Sequence, residues 1–104
     1  MLRVSCFEFN KNMFKQARVF VSGDVIEVGF RSWVKYQSKF VKVKGWARNV
    51  GNEVEILLQG EEKDIKNMIS RIKKGPPTAI VSNVEITWEG IKEKHSSFDI
   101  KKLK

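Results

Sequence analysis

The chain has 104 residues, of which 41% are hydrophobic and 31% charged, and its formal net charge at pH 7 is +8. This length allows one hydrophobic core and excludes a second domain of ordinary size. No apolar run approaches the ~20 residues of a transmembrane helix, and charged residues interrupt the first 16 positions, so we expect no membrane span, no secretory signal and a cytoplasmic protein.

Cysteine and histidine occur once each, as Cys6 and His95. One cysteine cannot form an intrachain disulfide, and the two residues are too few for a Cys/His metal cluster. The positive charge favours anionic partners, which range from a small phosphate ester to a nucleic acid. Part of that charge belongs to a lysine-rich C-terminal tail, where it is expected to be solvated.

The first predicted element is a strand at residues 17–22, where Ala17, Val19 and Val21 alternate with residues that would face the other way. A turn follows at residues 23–29. Beyond it, apolar residues recur at helical spacing from Phe30 to Val41, which predicts a first helix ending near Val41.

Two alternating segments, at residues 43–48 and 53–58, flank the turn-forming pair Gly51 and Asn52, and this pattern predicts a β-hairpin. Isoleucine and methionine then recur at helical spacing between residues 65 and 72. Acidic residues precede them and basic residues follow, as the helix macrodipole prefers, and a Gly-Pro-Pro sequence at residues 75–77 ends this second helix.

Alternation at residues 79–88 predicts a further strand, and residues 98–100 could add a short last one. The order β-α-β-β-α-β is the split β-α-β arrangement, in which two helices cover one face of an antiparallel sheet. We therefore predict a ferredoxin-like α+β sandwich. We divide the chain into an extension at residues 1–16, this domain at 17–101 and a basic tail at 102–104.

Residues 21–31 read V-S-G-D-V-I-E-V-G-F-R and resemble the acylphosphatase signature, whose usual form is V-x-G-x-V-Q-G-V-x-F-R. Three later segments are similar to further segments of that family, in the right order: residues 45–49, 54–60 and 75–81. The resemblance covers about residues 17–89.

This resemblance implies an enzyme that hydrolyses acyl phosphates to a carboxylate and inorganic phosphate without a metal or cofactor. It implies that Arg31 binds the phosphate and that Asn49 positions the attacking water. A strand-to-helix turn exposes backbone N–H groups, which suits an anion. The expected phosphate-binding turn comprises Val25, Ile26, Glu27, Val28, Gly29, Phe30 and Arg31.

The expected partners are a small-molecule acyl phosphate and, as inhibitors, inorganic phosphate or sulfate. Ile26 and Glu27 stand where the family pattern has glutamine and glycine. Glycine adopts positive φ freely, and a carboxylate repels a dianion, so we expect weaker phosphate binding and reduced activity. An alternative function is a catalytically weak relative that binds an anionic ligand or a protein partner through the same turn.

Nucleic-acid binding is a third function to consider, because RNA-recognition domains share the β-α-β-β-α-β order. Those domains stack bases on aromatic residues of the third strand. The corresponding segment here, residues 53–59, contains no aromatic residue and carries Glu53 and Glu55. We therefore do not expect a nucleic acid or a membrane among the partners.

Overall fold

The computed structural model describes residues 14–101, which form five strands and two helices. Along the chain these are β1 (Phe14–Asp24), α1 (Phe30–Gln37), β2 (Lys44–Val50), β3 (Glu53–Glu61), α2 (Glu62–Lys74), β4 (Ile80–Glu89) and β5 (Phe98–Ile100). The strands form one sheet in the order β4-β1-β3-β2-β5. This arrangement confirms the predicted ferredoxin-like α+β fold.

β1 lies inside the sheet and pairs antiparallel with β3 on one side and β4 on the other. β2 and β3 form the predicted hairpin. β5, the short last strand that the sequence allowed, instead runs parallel to β2, with Gly45 beside Phe98. The complete sheet is therefore mixed, whereas its other four strands are antiparallel as predicted. The reason is that residues 90–97 cross from one edge strand to the other and enter the sheet at the end where β2 begins.

The core lies between one face of the sheet and both helices. Ala17, Val19 and Val21 of β1 are fully buried, as their alternation predicts. Phe30 and Val34 are the buried residues of α1. The four buried residues of α2 are those that recur at helical spacing: Ile65, Met68, Ile69 and Ile72.

Most elements differ from their predicted bounds by one to four residues, and at β1 and α1 the hydrogen bonding shows why. β1 begins at Phe14 because its pairing with β3 continues to Glu61. α1 ends at Gln37 and not near Val41, because the amides of residues 39 and 40 bond to carbonyls three residues back and tighten the chain into a turn. Phe40, placed on the helix by its spacing, is therefore 59% exposed.

The predicted domain division stays a prediction. Residues 14–16 belong to β1, whereas the rest of the predicted extension, including Cys6, and the tail at 102–104 lie outside the described residues. Within residues 14–101, no helix is long and apolar enough to cross a membrane.

Candidate active site

The turn at residues 25–31 leaves the sheet at a point where β1 and β4 are in close contact. The register of this pair shifts between Ser22 and Gly23, after which Gly23 faces Val81. A Cβ on Gly23 would lie 2.2 Å from the carbonyl oxygen of Ile80, so only glycine fits. The start of β4 thereby fixes the position from which the turn begins.

The turn contains two residues in the left-handed region. Glu27 has a φ of 62°, and Gly29 has a φ of 77°. Glu27 is the one non-glycine residue with positive φ in the described part of the chain, and this conformation costs an L-residue about 1 kcal/mol. Left-handed residues within a turn direct successive N–H groups into one concavity, which suits an anion.

Both ends of the turn are anchored in the core, since Val25 and Phe30 are each 1% exposed. Ile26 and Val28 pack partly against the same core. Glu27, in contrast, is exposed to solvent. The turn therefore directs its apolar side chains inward while Glu27 lies on the outside of the protein.

α1 begins directly after Gly29, which provides no side-chain cap, and its first turn contains no acidic residue. The N–H of Trp33 bonds to the carbonyl of Gly29 at 2.9 Å. The N–H groups of residues 30–32, at the start of α1, therefore have no acceptor within the helix. Together with the positive end of the helix dipole, these donors suit a phosphate group.

Arg31 is the second residue of α1, and its side chain is half-buried. The other three arginines of the described chain all have side-chain partners: Arg18 and Arg48 bond to glutamates, and Arg71 bonds to Gln37. Within residues 14–101, Arg31 has neither an ion pair nor a side-chain hydrogen bond. Its guanidinium is available to a ligand on this account.

Asn49 lies near the end of β2, opposite Val54 of β3, which in turn lies opposite Val21 of β1. β1 and β2 thus end at the same end of the sheet. Asn49 and Val21 are both paired with Val54, and Val21 lies four residues before the turn begins at residue 25. Its Oδ1 atom is buried and has no hydrogen-bond partner among residues 14–101. A buried oxygen in this situation calls for a polar partner, because leaving it unpaired costs about 1–3 kcal/mol.

The predicted site residues therefore share one end of the sheet. α1, which carries Arg31, packs against β2, which carries Asn49. A cavity of about 840 Å³ opens at the opposite end of the sheet, where lysines of the α1–β2 connection lie. Neither the turn nor Asn49 lines that cavity.

A polar network occupies the sheet face that the helices leave open. The carboxylate of Glu55, 4% exposed, accepts hydrogen bonds from Arg18 and Arg48. Arg18 also bonds to Glu89, which raises the pKa of the arginine and lowers the pKa of Glu89. This network stands apart from the candidate site and neutralises the arginines of that face.

One contact of the turn was not predictable from the sequence. The hydroxyl of Thr78 donates a hydrogen bond to the carbonyl of Val28, with an Oγ1···O distance of 3.1 Å. Thr78 lies in the segment at residues 75–81 that carries part of the resemblance, but nothing in that pattern indicates that its hydroxyl reaches the turn.

Comparison with protein families decides the identity of this fold, because the acylphosphatase family model matches residues 17–100. The chain belongs to the acylphosphatase family. An acylphosphatase of Methanothrix thermoacetophila is 44% identical over 70 residues, covering 66% of this chain and 78% of that protein. An acylphosphatase of Caldivirga maquilingensis is 37% identical over 81 residues, covering 75% and 85%.

A solved structure agrees with the sequence comparisons. The crystal structure of the Bacillus subtilis acylphosphatase matches with a TM-score of 0.80 and 33% identity, covering 84% of this chain and 98% of that one. The resemblance stated from the four sequence segments is confirmed. The chain is thus an enzyme of the class that hydrolyses acyl phosphates.

Proposed function

We propose that the chain hydrolyses small acyl phosphates to a carboxylate and inorganic phosphate without a metal ion, and that residues 25–31 and Asn49 form its active site. The observation that carries this proposal is the half-buried side chain of Arg31. It stands at the N-terminus of α1 without a protein partner among residues 14–101, beside a turn whose geometry favours anions.

The phosphoryl group binds to Arg31 and to the amides at the start of α1. A planar guanidinium donates to two phosphate oxygens at once, and the amides face the remaining oxygen. These groups stabilise the charge on the equatorial oxygens in the transition state, which is the task that a metal ion performs in many phosphoryl-transfer enzymes. The proposed metal independence rests on this supply of positive charge.

Asn49 positions the water. Its unpartnered Oδ1 accepts a hydrogen bond from a water that attacks phosphorus opposite the leaving oxygen. A P–O bond forms to the water oxygen, the P–O bond to the acyl group breaks, and its electron pair leaves with the carboxylate. The water proton passes to the phosphate product. Because the carboxylate is a good leaving group, orientation supplies much of the catalysis and no strong general base is needed.

A hydrolysis assay on a simple acyl phosphate in the presence of a metal chelator tests this proposal. We expect activity with chelator and competitive inhibition by inorganic phosphate or sulfate. Activity that disappears with chelator and returns with a divalent metal contradicts the metal-free mechanism. Phosphate binding without hydrolysis under either condition supports the second candidate, a catalytically weak relative that binds an anionic ligand. The exposed carboxylate of Glu27 is the feature that favours low activity.

The proposed substrate is a small molecule and not a nucleic acid. The arginines on the open sheet face are paired with Glu55 and Glu89, which leaves them little charge for a phosphodiester backbone. A cytoplasmic location stays our prediction from the sequence.

A further inference from the structure

The carbonyl of Val28 is held by a residue distant in the sequence. Thr78, in the loop between α2 and β4, donates to this carbonyl across a sequence separation of 50 residues. Within residues 14–101 this is the one side-chain hydrogen bond made to residues 25–31. Among the described residues, the α2–β4 loop therefore supplies the one side-chain hydrogen bond that holds the backbone of the turn.

The peptide that Thr78 holds joins Val28 to a glycine in the left-handed region. Gly29 has a φ of 77°, and no atom lies within 4 Å of where its Cβ would stand. Glycine tolerates a wide range of φ, so a peptide joined to it rotates at a lower steric cost than one joined to another residue. The hydroxyl of Thr78 supplies a directional restraint on the orientation of the Val28–Gly29 peptide.

Fixing this carbonyl also fixes an amide. In a trans peptide the C=O and the following N–H point in opposite directions, and the described chain contains no cis peptide. With the Val28 carbonyl directed at Thr78, the N–H of Gly29 points away from the α2–β4 loop. A rotated peptide would present a carbonyl oxygen on that side, which repels phosphate.

The loop that carries Thr78 is itself well fixed. The amide of Ala79 bonds to the carbonyl of Pro76 at 3.1 Å, which closes a turn with Pro77 at its second position. Proline presets φ there. At the start of the loop, a Cβ on Gly75 would lie 2.9 Å from a Val81 methyl group and 3.8 Å from the Phe30 ring, so the loop packs closely against the first residue of α1.

We propose that Thr78 is a positioning residue of the phosphate site: its hydrogen bond to the Val28 carbonyl aims the Gly29 amide at the bound phosphate. This inference rests on the proposed function, which assigns phosphate to residues 25–31. Thr78 does not touch the phosphate. It acts through the backbone of the turn.

The test compares three variants of the whole chain by the dissociation constant of inorganic phosphate. Thr78→Val removes the hydroxyl and keeps the shape, and we expect it to weaken phosphate binding about threefold to fivefold, as for the loss of one exposed neutral hydrogen bond. Thr78→Ser keeps the hydroxyl and is expected to bind as the wild type does. Thr87→Val, the same substitution at an exposed position of β4, is the control and should change nothing.

Amide NMR spectra of the same samples show whether the effect passes through the turn. We expect phosphate to shift the Gly29 amide resonance in the wild type and in Thr78→Ser, and to shift it less in Thr78→Val. If Thr78→Val only lowers the melting temperature and binds phosphate normally, or if Thr78→Ser loses as much affinity as Thr78→Val, the positioning role is wrong. Thr78→Ala repeats the test if the valine variant does not fold.

Failure of the proposed function gives a different result. A wild type whose resonances at residues 25–31 do not respond to phosphate overturns the site itself, before any variant is compared. A wild type that responds, together with a Thr78→Val variant of equal affinity, overturns only the role of Thr78.

Discussion

Replacing Glu27 separates a charge effect from a backbone effect at the turn of residues 25–31, to which we assign the phosphate. Glu27 is exposed and has a φ of 62°. Its carboxylate is expected beside a dianionic ligand, and its backbone adopts a conformation that glycine reaches freely. Glu27→Gln removes the charge alone, whereas Glu27→Gly removes the charge and the side chain together.

The size of the charge effect follows from exposure and distance. For a phosphate held by the amides of the turn, we take a separation of roughly 8 Å from the Glu27 carboxylate, because Glu27 precedes Gly29 by two residues. In a fully hydrated setting, a unit charge at that distance repels a dianion by about 1 kcal/mol, or about fivefold in affinity. Salt at 0.1 M screens this to about twofold.

We therefore expect Glu27→Gln to bind phosphate about twofold to fivefold more tightly than the wild type, with the gain shrinking as salt is added. Glu27→Gly should gain more, in affinity and in kcat/KM, because glycine also relieves about 1 kcal/mol of left-handed strain within the turn. The unfolding free energy of Glu27→Gly should change by less than this 1 kcal/mol, because the added freedom of glycine in the unfolded chain costs about 0.5–1 kcal/mol.

The assay is competitive inhibition by inorganic phosphate, together with kcat/KM for a small acyl phosphate, at low and high ionic strength. Glu85→Gln, which makes the same charge change at an exposed position of β4, controls for net charge. If the wild type and both Glu27 variants have equal affinity and turnover, the side chain points away from the phosphate and the charge argument is refuted.

Three further predictions concern the site and its support. Arg31→Ala should weaken phosphate binding and turnover, whereas Asn49→Ala should lower kcat with phosphate affinity nearly unchanged; equal loss of affinity in both contradicts these roles, and Arg71→Ala and Asn83→Ala are the matched controls. Glu55→Gln removes the buried charge that bonds to two arginines and should lower the unfolding free energy by about 1–3 kcal/mol in urea denaturation. Lys66 and Lys15 lower the pKa of Glu62 from 4.5 to about 2, so this glutamate stabilises the fold above pH 4.5 and ceases to do so as the pH falls through 2. Glu62→Gln should accordingly melt at a lower temperature than the wild type at pH 7 and at the same temperature near pH 2, and an equal difference at both pH values contradicts this.

The fold was largely predictable because its elements carry strong periodic patterns. Ala17, Val19 and Val21 alternate and are all buried, and α2 buries the residues that its spacing selects. The end of α1 was not predictable in the same way. Phe40 and Val41 continue the helical spacing, yet hydrogen bonds of the turn after Gln37 end the helix before them.

The site was predictable only in part. Arg31 and Asn49 were selected by resemblance, and the strand pairing puts their segments at one end of the sheet. The bond from Thr78 to Val28 joins residues far apart in sequence and leaves no periodic signal. The parallel course of β5 likewise depends on how residues 90–97 cross the sheet, which local sequence does not determine.

Titration of the wild type with inorganic phosphate, followed by amide NMR, tests the location of the active site most directly. We predict the largest shifts at residues 25–31 and at the side-chain amide of Asn49. The lysine-lined cavity at the opposite end of the sheet, near Lys39 and Lys42, should respond weakly. Shifts concentrated at that cavity, with residues 25–31 unaffected, would contradict the assignment of phosphate to the turn.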